Sequence, residues 1–239
     1  MTIDVSAKIH LIIVAAGIGR RFKVAGTTSQ LPKQYETIGD KTILAHSITA
    51  FDDIAVDSIT VVTHPQDQYW HTIQPIESRH KIQNTAGGEQ RHDSVRNGIK
   101  SLKAAADDWV LVHDAARPCV TAEEINALIN ACLKKQQGGL LVKPTTDTIK
   151  YSKQGKRVEK TINRDELFAA QTPQMFRCGD LLKALTVFEA GSITDESSAI
   201  EAQGQKPLMV QGKPGNIKIT TYDDLALATF ILEQQGRLS

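Results

Sequence analysis

The chain is short of several things that would mark a specialised class. It has only three cysteines, Cys119, Cys132 and Cys178, and none are spaced as a CxxC pair. That argues against a disulfide scaffold, and the three read as reduced, mostly buried thiols of a cytoplasmic protein. It has no excess of charge of one sign. Its 28 basic residues offset 27 acidic ones to leave a net charge of +1, which argues against a general nucleic-acid or membrane surface while allowing local basic clusters. No apolar run approaches the length of a membrane span. The N-terminus places Asp4 and Lys8 before a strand-length run and lacks the layout of a secretion signal. There are no repeats and no low-complexity segments. What is present is a 41% hydrophobic content, enough for a sizeable core, within 239 residues that read as a single domain over 1–239.

Apolar β-rich runs alternate with helical periodicity. Strands are expected at Ile9 to Val14, Ser58 to Thr63, Lys81 to Thr85, Trp109 to Val112, Leu140 to Val142, near Pro207 to Val210, and at Asn216 to Thr220. Helices are expected at Thr42 to Phe51, Gln66 to Ile73, Asp93 to Ala106, from the Thr121-x-x-Glu124 capping box to Gly138-Gly139, at Gly179 to Phe188, Asp195 to Ala202, and Tyr222 to Gln234. The alternation implies an α/β fold of Rossmann-like type, a mostly parallel twisted sheet with helices on both faces. Residues 144–168 break the rhythm. Two short alternating runs around Gly155 predict a β-hairpin, a projecting arm that packs on something else, such as a second subunit.

The chemistry gathers where apolar runs end. Ile12-Ile13-Val14-Ala15-Ala16-Gly17-Ile18-Gly19-Arg20-Arg21, followed by Leu31-Pro32-Lys33-Gln34, has small residues and two glycines turning strongly basic. Glycines let backbone N–H groups approach phosphate oxygens, and Arg21 and Lys33 can neutralise phosphate charge. The spacing is neither that of a P-loop nor that of a dinucleotide fingerprint, where Phe22 would be a third small residue. In parallel sheets ligands bind beyond the carboxyl ends of strands. That rule adds Gly87, Gly88, Glu89, Arg91, Ser94, the run His113-Asp114-Ala115-Ala116-Arg117-Pro118, and Asn216 and Lys218. Asp114 is a candidate Mg²⁺ ligand, with a turn-capping role as its alternative. Arg117 is a plausible clamp for a second anion, and His113 reads as structural. The sum suggests nucleotidyl transfer, in which a phosphate monoester attacks the α-phosphorus of a nucleoside triphosphate and needs no enzyme nucleophile.

The same motifs, with Asp147-Thr148, Asn163-Arg164, Gln171-Thr172-Pro173-Gln174, Thr194-Asp195-Glu196 and Asn216-Ile217-Lys218-x-Thr220 in order, resemble the 2-C-methyl-D-erythritol 4-phosphate cytidylyltransferases of the non-mevalonate isoprenoid pathway, over nearly the whole chain. The resemblance implies a nucleotide-diphospho-sugar transferase-like fold, CTP and methylerythritol 4-phosphate as substrates, and Mg²⁺ or another divalent cation. Under it, Arg21, Lys33 and Lys218 are catalytic. Ala15, Ala16, Gly17, Gly19, Gly88, Glu89, Arg91, Ser94, Asp114 and Ala115 bind the nucleotide, with Asp114 on the metal. Arg117, Thr148, Arg164, Thr172 and Thr194 face the sugar phosphate. Thr148 and Arg164 lie on the arm, which in the family crosses to the partner of a homodimer and completes its site. The stretch between Arg21 and Lys33 is longer than in many relatives and is expected to form a lid that orders on CTP binding. The rival readings are a ribitol 5-phosphate cytidylyltransferase, a catalytically silent nucleotide-binding regulator, and an NAD-linked oxidoreductase, the last disfavoured by the glycine spacing.

Overall fold

Strands apolar at nearly every position need cover on both faces. The computed structural model, which describes residues 7–17, 19, 22, 31–72, 76–187 and 193–238, supplies that cover. Its elements are β1 (Ile9–Ala15), β2 (Thr37–Ile38), β3 (Lys41–Thr42), α1 (Ile43–Thr49), β4 (Ser58–Thr63), β5 (Ile82–Ala86), α2 (Arg91–Ser101), β6 (Trp109–Asp114), α3 (Ala122–Lys135), β7 (Gly139–Pro144), β8 (Ile149–Tyr151), β9 (Lys160–Ile162), β10 (Phe168–Arg177), α4 (Cys178–Val187), α5 (Glu196–Glu201), β11 (Leu208–Gln211) and α6 (Asp223–Gln234). Leu11, Ile13, Ile59, Val61, Trp109 and Leu111 point to one face, where they pack with Leu44, Ile48 and Phe51 near α1 and Ile125 and Leu128 of α3. Their neighbours Ile12, Val62, Val110 and Val112 point to the other, against Val95, Ile99, Leu181 and Leu185 of α2 and α4. The period of two sorts one apolar run into two cores.

The main sheet has the order β11-β7-β10-β6-β1-β4-β5. The pairs β1–β4, β1–β6, β4–β5 and β7–β11 are parallel, and only β10 runs antiparallel, to both β6 and β7. The chain moves outward from β1 to β4 and β5, then returns to place β6 on the other flank of β1. This reversal leaves a crevice beyond the carboxyl ends of β1 and β6, where open α/β sheets bind ligands.

Five expectations need correction. β10 is absent from the expected strands, and its Pro173 is a residue that central strands ordinarily exclude. The structure places Pro173 in the register irregularity between Ala170 and Gln174, where the ladder with β7 is interrupted. Gln66 to Ile73 does not form a helix in its described part; Asp67 instead accepts from the Tyr69 and Trp70 amides at 2.9 and 2.8 Å and from the Tyr35 hydroxyl at 2.8 Å. An aspartate that takes nearby amides this way competes with helix. Asn216 to Thr220 is not a strand. Its backbone meets the chain just after β6 through the bond from Ile219 N–H to Ala116 O at 2.9 Å, at a turn that offers no ladder. Gly138-Gly139 do not end α3, since Gln136 in the left-handed region caps it. A Cβ on Gly138 would stand 2.3 Å from the Phe176 ring, so this glycine permits close packing. The helix expected at Asp93 to Ala106 begins at Arg91 and stops at Ser101, where the chain turns and Asp108 captures the Ala105 amide at 2.7 Å.

The hairpin of β8 and β9 is present, pairing Ile149 with Ile162 and Tyr151 with Lys160. A third apolar cluster joins Phe22, Ile38, Ile43 and Ile219 to Ala228 and Leu232 of α6. By burying Ile219, with Ile217 packed alongside, it turns the intervening Lys218 toward the crevice. No helix among the described residues is long and apolar enough to cross a membrane.

Candidate active site

The crevice is a cleft of about 600 Å³ lined by Ala15, Ala16, Gly17, Gly19, Lys33, Gln34, His64, Gly88, Glu89, Gln90, Arg91, Ser94, Asp114, Ala115, Ala116 and Lys218. Its glycine loop is held from behind. Buried Gln34 donates from Nε2 to Ala15 O at 2.7 Å. Gly19 has φ of +63°, which a side chain rarely adopts, and its absent Cβ would lie 3.1 Å from Lys33 Cβ. The Lys33 segment therefore lies against the loop, with Lys33 Nζ donating to Ile219 O. Across the cleft the Ser94 hydroxyl accepts from Gly88 N–H and donates to Gln90 O, both at 3.1 Å, and so shapes the turn that follows β5.

Asp114 is the electrostatic centre. Arg91 donates to its Oδ1 from Nε at 3.1 Å and from Nη2 at 2.9 Å, Lys218 Nζ lies 2.7 Å from Oδ2, and Arg117 Nε stands 4.0 Å from the same oxygen. Burial opposes ionisation of this carboxyl, but the charges of Arg91 and Lys218 outweigh it and hold it far below the usual carboxylate range. Behind Arg91 sits Glu196, with no exposed surface, which accepts from Arg91 Nη1 at 2.5 Å and Nη2 at 3.1 Å. Burial disfavours the charged guanidinium, yet Glu196 and Asp114 together hold Arg91 above its ordinary value. Burial pushes the His113 imidazole down to about 4 against the pull of Asp114, so the ring is neutral at pH 7. Burial likewise pushes all three thiols up to about 12, which removes them as nucleophiles at neutral pH.

Of the residues singled out from the sequence, the structure brings twelve into the cleft wall: Ala15, Ala16, Gly17, Gly19, Lys33, Gly88, Glu89, Arg91, Ser94, Asp114, Ala115 and Lys218. Arg117 and Thr172 adjoin it through Asp114, whose N–H donates to Thr172 Oγ1 at 3.1 Å. Thr194 is exposed at the start of α5, and Thr148 and Arg164 are exposed on the arm; none of the three lines the cleft. Arg21 and the expected lid at 23–30 lie outside the described residues. Sequence reasoning gave no role to Gln34, His64, Gln90, Ala116 or Glu196. His64 directly follows β4, so the strand-end rule could have found it; Glu196 had only its place in the Thr194-Asp195-Glu196 motif.

No group of three His, Cys, Asp or Glu side chains able to hold a metal exists among the described residues. Asp114 Oδ1 is occupied twice by Arg91, leaving Oδ2, shared with Lys218, as its available oxygen. That fits Mg²⁺ carried mainly by substrate phosphates with one protein carboxylate, the usual mode for this ion.

Comparison with known proteins agrees with this geometry. Residues 9–234 match the family described as IspD, 2-C-methyl-D-erythritol 4-phosphate cytidylyltransferase. The protein of that name from Tolumonas auensis is 42% identical over 227 residues, covering 94% of this chain and 96% of its own. The one from Pseudoalteromonas translucida is 43% identical over 230 residues, covering 95% and 92%. The crystal structure of the Francisella tularensis protein of the same name superposes with a TM-score of 0.80 at 36% identity, covering 95% of this chain and all of that one. The chain belongs to the 2-C-methyl-D-erythritol 4-phosphate cytidylyltransferase family.

Proposed function

We propose that this protein transfers the cytidylyl group of CTP to 2-C-methyl-D-erythritol 4-phosphate, releasing pyrophosphate and 4-diphosphocytidyl-2-C-methyl-D-erythritol. The observation that carries the reading is the set of cations around Asp114 facing a glycine loop at the sheet's reversal point. Arg91, Arg117 and Lys218 bring three positive charges against the two negative charges of Asp114 and Glu196, leaving a net positive wall for an anionic ligand.

An oxygen of the acceptor phosphate attacks the α-phosphorus of CTP. A new phosphorus–oxygen bond forms, the bond to the bridging oxygen breaks, and the electron pair leaves with pyrophosphate. The nucleophile is already an anion, so no proton needs to move and no side chain acts as base. This suits a cleft with a buried neutral His113 and no reactive thiol. The protein's part is alignment and charge stabilisation. The backbone at Ala15 to Gly19 receives the triphosphate. Gly88, Glu89 and Ser94 receive the cytidine, and Arg91 supports that turn. Lys33 and Lys218 can leave Ile219 O and Asp114 for phosphate oxygens, and Arg21 joins them by its place in the motif. A divalent cation, when bound, neutralises the triphosphate, with Asp114 Oδ2 as the protein's contribution. Arg117, Thr172 and Thr194 belong to the acceptor side.

The arm supports a homodimer in which Thr148 and Arg164 complete the neighbour's site. Both are exposed, and Arg164 Nη1 donates to Thr146 O at 2.6 Å, which braces the root of the arm. The enzyme acts in the cytoplasm, a placement supported by its three free, buried thiols.

Incubation with Mg²⁺, each of the four ribonucleoside triphosphates, and either methylerythritol 4-phosphate or ribitol 5-phosphate tests the reading. Pyrophosphate release is expected only with CTP and methylerythritol phosphate. Release with ribitol phosphate instead would move the protein to envelope polyol chemistry, and CTP binding without release would make it a silent regulator.

A further inference from the structure

His113 is wholly buried near the end of β6, its ring edge set against Phe51 at a centroid distance of 5.2 Å. Its hydrogen bonds can be assigned donor by donor. Nε2 lies 3.1 Å from Arg117 O, which can only accept, so Nε2 carries a proton. Nδ1 lies 3.1 Å from Thr172 Oγ1, and the same oxygen lies 3.1 Å from Asp114 N, which can only donate. The buried Thr172 hydroxyl needs an acceptor for its proton, and of its two hydrogen-bond neighbours only Nδ1 can supply a lone pair. The Thr172 proton goes there, while one Thr172 lone pair takes the Asp114 amide. One imidazole thus links Arg117 and Thr172, which the sequence motifs place on the acceptor side of the cleft, to the backbone of Asp114 on the nucleotide side.

We propose that His113 is a positioning residue for the acceptor half of the site: a fixed relay, Asp114 N–H to Thr172 hydroxyl to His113 to Arg117 carbonyl, holds these groups in register and spends the Thr172 proton internally. Thr172 then has no hydrogen to give an acceptor phosphate. Its task is to hold the Asp114 backbone, and the phosphate takes its donors from cationic side chains. The inference rests on the cytidylyl-transfer reading for its kinetic consequence, but its hydrogen-bond assignment stands apart from turnover.

Three variants and one spectrum test it. His113→Asn keeps an acceptor near the Nδ1 position, His113→Phe keeps neither partner, and Thr172→Val removes the middle of the relay. His113→Phe strands a buried hydroxyl and a buried carbonyl, so kcat/KM for the acceptor should fall about tenfold to a hundredfold. CTP affinity should fall less than the acceptor term, staying within about twofold, because His113 bonds directly to Arg117 and Thr172 and meets only the Asp114 backbone, through the Thr172 hydroxyl. His113→Asn should recover most of the loss. Thr172→Val added to His113→Phe should cost little more, since both break one unit. Equal losses in the Asn and Phe variants, multiplying losses in the double variant, or a matching loss of CTP affinity would each overturn the relay. In the unmodified protein, ¹⁵N spectra of the His113 ring at neutral pH should show a proton on Nε2 only. A proton on Nδ1 sinks the assignment whether or not the enzyme turns over. Failure to turn over methylerythritol phosphate with the expected spectrum intact would instead remove the cytidylyl reading and leave the relay standing.

Discussion

On the β1 side of the cleft the backbone forms the wall, while on the β10 side side chains reach across gaps in the ladder. Ala15, Ala16, Gly17 and Gly88 line the cleft there, buttressed by Gln34 and Ser94. Near β10, Gln171 Nε2 donates to Lys213 O and Asn216 O at 3.0 and 3.1 Å, Asn216 Nδ2 donates to Thr172 O at 3.0 Å, and Arg117 Nη1 donates to Asn216 O at 2.7 Å. Among the described residues, Gln171 Oε1, Asn216 Oδ1 and Arg117 Nε are buried without a hydrogen-bond partner. A triphosphate can be met by repeated N–H groups, which any small residue supplies. A branched polyol phosphate has to be distinguished from its relatives, and a side-chain network can be varied to do so. The network also costs more to disturb, since each buried polar atom left alone is penalised.

The comparison breaks most sharply at Lys218, which stands between the two halves with its Nζ 2.7 Å from Asp114 Oδ2. Lys218→Ala should lower turnover about a hundredfold or more, as loss of a charge-stabilising donor does, while the unfolding midpoint stays nearly unchanged. Near-normal turnover in steady-state assays would remove this lysine from the chemistry. A smaller effect is expected at the arm. Arg164→Ala should reduce turnover about tenfold, the scale of one charge-assisted hydrogen bond, with CTP affinity intact. Mixing the Arg164→Ala and Lys218→Ala proteins sharpens the test. If arms cross between subunits, random exchange rebuilds one sound site in half of the dimers, about a quarter of full activity. No recovery would mean that the arm serves its own cleft.

The smallest effect lies in the turn that carries Lys218. Asp224 Oδ2 accepts from Thr220 N–H and Thr221 N–H at 2.7 Å and from the Thr220 hydroxyl at 2.8 Å. Partial burial opposes ionisation, but these bonds prevail and bring the carboxyl from 3.8 down to about 2. A carboxyl depressed on folding adds stability that is complete above its ordinary value and disappears as pH falls through about 2. Asp224→Asn should cost about 1 kcal/mol at pH 7, a capping-scale loss in a solvent-screened place. It should also flatten the acid limb of urea midpoints measured against pH, and an unchanged limb would discount the turn.

Much of the β1 side was legible because its signal is local. An apolar run ends, small residues follow, and the strand-end rule places Gly17, Gly88 and Asp114 on one rim. The β10 side was not, because it depends on neighbours distant in sequence. Pro173 inside a central strand contradicts the usual rule until the break in pairing beside it is seen. Thr121-x-x-Glu124 gave its helix start directly, since the Thr121 amide and hydroxyl both donate to Glu124 Oε2 at 3.0 Å. Gly138-Gly139 misled, because close packing against Phe176 and helix termination leave the same residue type in the sequence. Glu196 was silent as a site residue because its value comes from an arginine 105 positions away.

The antiparallel course of β10 has one more outcome. β7 and β10 are adjacent in the sheet, with Phe168 opposite Pro144 and Thr145 N–H bonded to Leu167 O at 3.0 Å, so the arm is the far end of one long hairpin whose two legs stand in the central sheet. Side chains on such legs alternate between faces, which makes its length quantised. Adding or removing a matched pair of residues on each leg moves the tip and preserves which side every residue faces. A single residue on one leg inverts that leg beyond the change. Descendants of this protein can therefore adjust how far the arm reaches in even steps, without retuning the strands beneath it.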